Sequence, residues 1–271
     1  MAETPHRIFP HGGFEEIAPG LYRVVGSLPM PLKRNMFVYR LPDGTLLIYS
    51  AVALDDAGLA ALENLGRPAV MVIPHPFHIM DAVFYAKRYP QLRVVGLPDA
   101  QARLVDVKIG ASPEDALPPL GITPYRVAGL KHGEVALELA IGERAEGASA
   151  GSVGRQPGGV SIGERAEGPS AGSVGRQPGG VPIGTGKALL FTDAVGQNEP
   201  PTAFLMKLLG PPGGAGVARI VKFRQVADKA ALRNFLTERA ATPGLKLVAG
   251  CHGAVVTQDV AGWLRRAAAG L

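Results

Sequence analysis

The chain has 271 residues, 46% of them hydrophobic, enough to bury a large core within one domain. Its one cysteine, Cys251, excludes an internal disulfide and any cysteine-rich zinc module, so a metal would have to be held by histidine and carboxylate. The formal charge of +5 comes from scattered basic residues without a basic tract, which argues against a nucleic-acid partner, and no apolar run reaches the ~18 residues of a membrane span.

The opening MAETPHRIFPHGG lacks the basic-then-apolar pattern of an export signal, so a cytoplasmic location is expected. Residues 1–16 read as an N-terminal segment, with His6 and His11 expected in solvent, ahead of a single domain over 17–271. Residues 21–26 and 35–39 read as strands, and Asp43-Gly44 makes a tight turn into a third over 45–49. Helical spacing follows over 55–66: Leu59, Leu62 and Leu65 share a face, Asp55 caps the start and Gly66 ends it. A strand over 69–73, a helix over 81–89 halted by Pro90, a short strand over 93–96 and a helix over 99–105 complete the first half.

The middle carries a tandem duplication. Residues 141–161 (IGERAEGASAGSVGRQPGGVS) recur as 162–182 with only Ala148 changed to Pro169 and Ser161 to Pro182. Two Gly- and Ser-rich copies cannot offset their ordering entropy by burial, so a flexible insert is expected. Without it, 134–140 (EVALELA) runs through a Gly-rich turn into 187–191, which is the pattern of a β-hairpin extended at its tip. The Gly184-Thr185-Gly186-Lys187 sequence at that join lacks phosphate-loop spacing and leads into a strand.

Beyond the hairpin, 202–209 reads as a helix and 218–223 as a strand. Asp228 caps a helix with Leu232, Phe235, Leu236 and Ala240 on one face, and a terminal helix places Val260, Trp263, Leu264 and Ala267 together. Antiparallel strands early and strand-helix alternation later indicate a layered α/β sandwich with helices outside.

Three buried stretches end in histidine or aspartate: 70–78 (VMVIPHPFH), 188–193 (ALLFTD) and 245–252 (LKLVAGCH). Side chains at neighbouring strand ends can meet, and a catalytic zinc needs about three such ligands and one open position for water. His75, His78, Asp193 and His252 supply that set, although each histidine alone can equally be hydrogen-bonded structure. Cys251 adjoins His252, but strand neighbours point to opposite faces, which makes it a core residue and not a nucleophile served by that histidine.

The stretch IPHPFHIMDAVFYAKRYP, the later LLFTDA and the final AGCHG, in this order of elements, resemble the metallo-β-lactamase superfamily over roughly residues 17–268 outside the insert. The resemblance implies a four-layer αββα sandwich with metals at the sheet edge, and hydrolysis of lactams, lactones, thioesters or phosphodiesters. Its His-x-His-x-Asp-His motif falls on Ile73, His75, Phe77 and His78, so the first histidine and the aspartate are missing. The middle histidine falls on Leu130, with His132 two residues on as a possible neighbour to the ligands; Asp193 matches the metal-bridging aspartate and His252 the last histidine. Asp81, one helical turn past His78, is the candidate to replace the missing aspartate as the group that orients water.

Two readings follow. One is a hydrolase of small-molecule esters, lactones or thioesters with a single zinc or iron ion at His78, Asp193 and His252, His75 assisting. The other is a metal-free binding or interaction protein on the same scaffold, its old site filled by Ile73, Phe77 and Leu130.

Overall fold

The computed structural model describes residues 6–30, 32–142, 185–198, 209–211 and 214–271. The tandem duplication lies outside them except for Ile141 and Gly142, as does the helix expected over 202–209 except for Leu209.

In chain order the first half contains β1 (Glu15–Ala18), β2 (Leu21–Ser27), β3 (Lys33–Arg40), β4 (Leu46–Tyr49), α1 (Asp56–Leu65), β5 (Pro68–Ile73), α2 (Ala82–Arg88), β6 (Arg93–Gly96), α3 (Pro98–Gln101) and α4 (Pro113–Ala116). The second contains β7 (Thr123–Arg126), β8 (Val135–Ile141), β9 (Gly186–Leu190), β10 (Gly196–Gln197), β11 (Ala215–Gly216), α5 (Arg219–Arg224), α6 (Lys229–Ala240), β12 (Leu245–Ala249) and α7 (Val260–Ala269).

Strands β1 to β6 form one sheet in sequence order, antiparallel as far as β4 and parallel from there. A second sheet has the order β12-β9-β8-β7, with β8 and β9 as the expected hairpin and β12 parallel to β9. The two-residue alternation of strand side chains sorts the core into three layers. Leu47, Tyr49, Val70 and Val72 face Leu137, Leu139, Leu190 and Leu247 between the sheets. Leu46, Ile48, Met71 and Ile73 point the other way, onto Leu59 and Leu62 of α1 and Ala82 and Tyr85 of α2. On the far side, Ala136, Leu189 and Val248 pack against Leu232 and Leu236 of α6 and Trp263 and Leu264 of α7. The result is the four-layer αββα sandwich.

Local signals account for most boundaries. Asp55 caps α1 by accepting the Gly58 N–H, and Asp228 caps α6 by accepting from Ala230 and Ala231. Two expectations are corrected. The strand expected over 218–223 is instead helix α5 (Arg219–Arg224), with Val221 buried and Ile220 and Phe223 exposed, because so short an apolar run fits either period and burial of one side chain per turn decides for helix. The helix expected over 99–105 ends at Gln101, whose side chain turns to accept the Ile109 N–H and donate to the Val107 carbonyl.

The N-terminal segment is also more ordered than its polarity predicts. The Gly12 N–H donates to Val25 O and the Ser27 N–H to Pro10 O, which lays this segment along β2 beyond the end of β1. His11 Nε2 accepts the Asp55 N–H at 2.9 Å, and His6 Nε2 lies 2.7 Å from Asp81 Oδ1. Among the described residues no helix is long and apolar enough to cross a membrane.

Candidate metal centre

Three loops that follow strands converge at one end of the sandwich. After β5 ends at Ile73, the two prolines of Pro74-His75-Pro76 prevent the strand from continuing, and a turn closed by His78 N–H to His75 O brings both histidines inward. After β9 the chain passes through Phe191 and Thr192 to Asp193, and after β12 through Gly250 and Cys251 to His252. Asn35 clamps this last loop: its amide donates to Gly250 O and Gly253 O, and its own N–H to Cys251 O.

His78, Asp193 and His252 come together, each offering one ligand atom, with those atoms all within 4.8 Å of one another. Asp193 Oδ1 lies 3.2 Å from His78 Nε2 and 3.4 Å from His252 Nε2. The outward nitrogens are held. His252 Nδ1–H donates to Lys33 O at 2.7 Å, and because a carbonyl only accepts, that nitrogen carries a proton. His78 Nδ1 lies 2.9 Å from Ser50 Oγ, and Ser50 is placed there by a left-handed backbone (φ 57°) that few non-glycine residues adopt. Histidines that coordinate metal are oriented in this way by their other nitrogen.

The remaining expected residues are distributed differently. His75 stands beside the group, its Nδ1 3.8 Å from Asp193 Oδ2; that nitrogen accepts the Phe77 N–H, and its buried Nε2 has no hydrogen-bond partner among the described residues. His132 is placed edge-on to the rings of His75 and Phe77. Asp81 does not reach the group. Its buried carboxylate is taken up by the guanidinium of Arg34, by the Ala53 N–H at 2.8 Å and by His6, since a buried guanidinium requires a counter-charge. Of the apolar substitutes, Ile73 packs toward α1 and α2, while Phe77 is 48% exposed beneath the guanidinium of Arg103. Cys251 is fully buried, as expected of a core residue.

Two further residues hold Asp193. Gln225, just past α5, donates to Asp193 Oδ2 at 3.4 Å. Glu134, at the entry to β8 and fully enclosed, accepts the N–H groups of Thr192 (2.8 Å), Asp193 (3.1 Å) and Ala194 (3.0 Å).

The charges respond to this packing. Burial, followed by the Asp193 charge, pushes the Glu134 carboxyl up to about 8. Burial also raises Asp193, but His78 and His252 outweigh it and hold the carboxyl well below its usual range. For His252 burial lowers and Asp193 raises, with a net rise. For His75 burial outweighs the opposing Asp193 charge and lowers the imidazole to about 4, so it stays neutral at physiological pH.

No family model matches the sequence, and no curated protein matches it either. Solved structures do match. The mono-zinc form of the metallo-β-lactamase FIM-1 from Pseudomonas aeruginosa is 11% identical, with a TM-score of 0.53 over 98% of this chain and 97% of that one. The chain has the metallo-β-lactamase fold. DIM-1 metallo-β-lactamase exposed to ceftazidime shares this fold at a TM-score of 0.56 and 11% identity, over 97% of this chain and 99% of that one. A metallo-β-lactamase from Erythrobacter litoralis does so at 0.51 and 12%, over 98% and 96%. Within the metallo-β-lactamase fold the three loops described above occupy one end of the two sheets, so the triad lies where three chain segments, far apart in sequence, meet.

Proposed function

We propose that this chain is a single-metal hydrolase of small-molecule esters, lactones or thioesters, with one zinc or iron ion held by His78, Asp193 and His252. The observation that carries the reading is a pair of distances. Ligands about 2.0–2.1 Å from a tetrahedral ion stand ~3.3 Å apart, and Asp193 Oδ1 lies 3.2 and 3.4 Å from the two imidazole nitrogens. A direct charge-assisted hydrogen bond would close to about 2.7–2.9 Å. The donor set of two imidazoles and one carboxylate suits zinc or iron.

Such an ion supplies Lewis acidity and lowers the pKa of water at its open position. The protein's own contribution is orientation. Lys33 O and Ser50 fix the two imidazoles, Gln225 turns the second oxygen of Asp193 away from them, and neutral His75 closes the inner wall. The solved structures of the same fold carry the name metallo-β-lactamase, which supports acyl hydrolysis as the reaction class.

Elemental analysis after zinc or iron reconstitution, on wild type and His78→Ala, tests the proposal. One ion per chain in wild type and a strong loss in the variant, with ion-dependent turnover of an ester, lactone or thioester panel, is the expected outcome. Metal-free protein in both cases would instead support the second reading, an interaction protein, which the half-exposed Phe77 beneath Arg103 favours.

A further inference from the structure

We propose that Glu134 is the positioning residue of the metal centre: its enclosed carboxylate grips the backbone of the Asp193 loop and thereby aims Asp193 Oδ1 at His78 and His252. The inference rests on the single-metal reading and assigns a residue that ligates nothing.

The geometry is specific. Glu134 Oε1 takes the Thr192 N–H, while Oε2 takes those of both Asp193 and Ala194. Three consecutive backbone donors directed at one carboxylate leave the loop a single orientation, and the Asp193 side chain leaves from the middle of the three. The base of Glu134 is fixed as well: Val127 N–H donates to Glu134 O, and the next residue's N–H donates to Pro74 O, at the start of the turn that carries His78. On the other side, Thr192 O accepts the Cys251 N–H, next to His252. The Asp193 loop that this side chain grips is thus bonded to the His252 loop, and the residue after Glu134 to the start of the His78 turn.

A purely structural role is a poor match for the chemistry. Enclosing a carboxyl group carries a desolvation cost even where burial favours its neutral form, and no Lys, Arg or His ion pair to Glu134 is found among the described residues. An acceptor with a single oxygen, such as a side-chain amide, would join strands at lower cost. What the second oxygen adds is three-point control of the loop, which matters for a ligand that must be placed to within about 0.5 Å. Groups that orient metal ligands from behind typically change affinity by about 10- to 100-fold when altered.

Glu134→Gln replaces one oxygen with an NH2 that faces backbone N–H groups and cannot accept from them. Glu138→Gln is the matched control: Glu138 lies on β8, the strand that Glu134 leads into, is buried and pairs with Lys187 and Tyr125 away from the triad. Zinc titration calorimetry and cobalt(II) absorption spectra, on the full chain of wild type and both variants, carry the test. The expected result is about 10- to 100-fold weaker zinc binding by E134Q with an altered cobalt spectrum, and wild-type values for E138Q. If folded E134Q binds zinc with wild-type affinity and spectrum, the assignment is overturned and the metal reading stands. An equal loss in E138Q also overturns it, by reducing the effect to general destabilisation. If wild type binds neither ion, both fall together. Should E134Q fail to fold, Glu134→Asp, which withdraws both acceptor oxygens by one methylene, carries the same comparison.

Discussion

Replacing Asp81 with asparagine is expected to damage the fold and spare the metal centre. Asp81 is 1% exposed and Arg34 5% exposed, and the two are in direct contact, with the Ala53 N–H and His6 completing the carboxylate's partners. Asparagine keeps the size but leaves the guanidinium without its counter-charge. Removing one member of a buried pair costs about 3–5 kcal/mol, and at roughly 2–4 °C per kcal/mol for a chain of this size the melting temperature should fall by about 6–20 °C. Thermal and urea denaturation followed by circular dichroism measure this. Zinc affinity of the folded fraction should remain within about twofold of wild type. The double variant Arg34→Met with Asp81→Leu should regain most of the loss, because both charges leave together. A D81N protein that melts within about 2 °C of wild type but loses ion-dependent turnover a hundredfold would refute the reasoning and return Asp81 to the reacting centre.

His75 makes the fold sensitive to acid. Its folded pKa, lowered from 6.5 to about 4 by burial, means that only the unfolded chain takes up this proton between those values. The His75 contribution to stability should be full above about pH 6.5 and fall by about 3 kcal/mol as the pH drops to about 4, read as the difference between wild type and His75→Gln in urea titrations of metal-free protein; parallel profiles would argue against it. Gly253 adopts φ 94°, and an added Cβ would meet Gln197 O at 1.8 Å. Gly253→Ala should therefore cost about 1–3 kcal/mol and weaken zinc binding by displacing the His252 loop, both readable by thermal melts with and without zinc.

The fold was legible wherever burial imposed a strict period. Strand β4, all apolar over Leu46–Tyr49, sends alternate residues into two different layers, and such a run belongs inside a sandwich covered on both faces. The run ARIVKF was not legible, because Val221 is its one fully buried apolar side chain longer than alanine's and no period can be read from one residue. At the site, ligand types at strand ends pointed to the triad. Its supporting groups left no such trace. Glu134 shares a face with Ala136 and Glu138 along EVALELA, alternating with Val135 and Leu137 in the pattern of a solvated hairpin face, and only the Thr192–Ala194 loop folding over it turns that polarity inward. Asp81 resembled a residue sharing a face with His78 because its partner Arg34 lies far back in the chain, on β3. Backbone contributions such as Lys33 O depend on tertiary position alone and carry no residue signature.

The N-terminal segment has a consequence for handling the protein. Through Pro10, Gly12 and His11 it covers the free edge of β2 beyond β1, and an uncovered strand edge is a template for pairing with another chain. A proteolytic clip before Glu15 would leave the triad's own loops intact while baring the Val25 carbonyl and the Ser27 N–H. Damage there should register first as self-association, with the solution turning turbid while the metal-binding capacity of the molecules still in solution is unchanged.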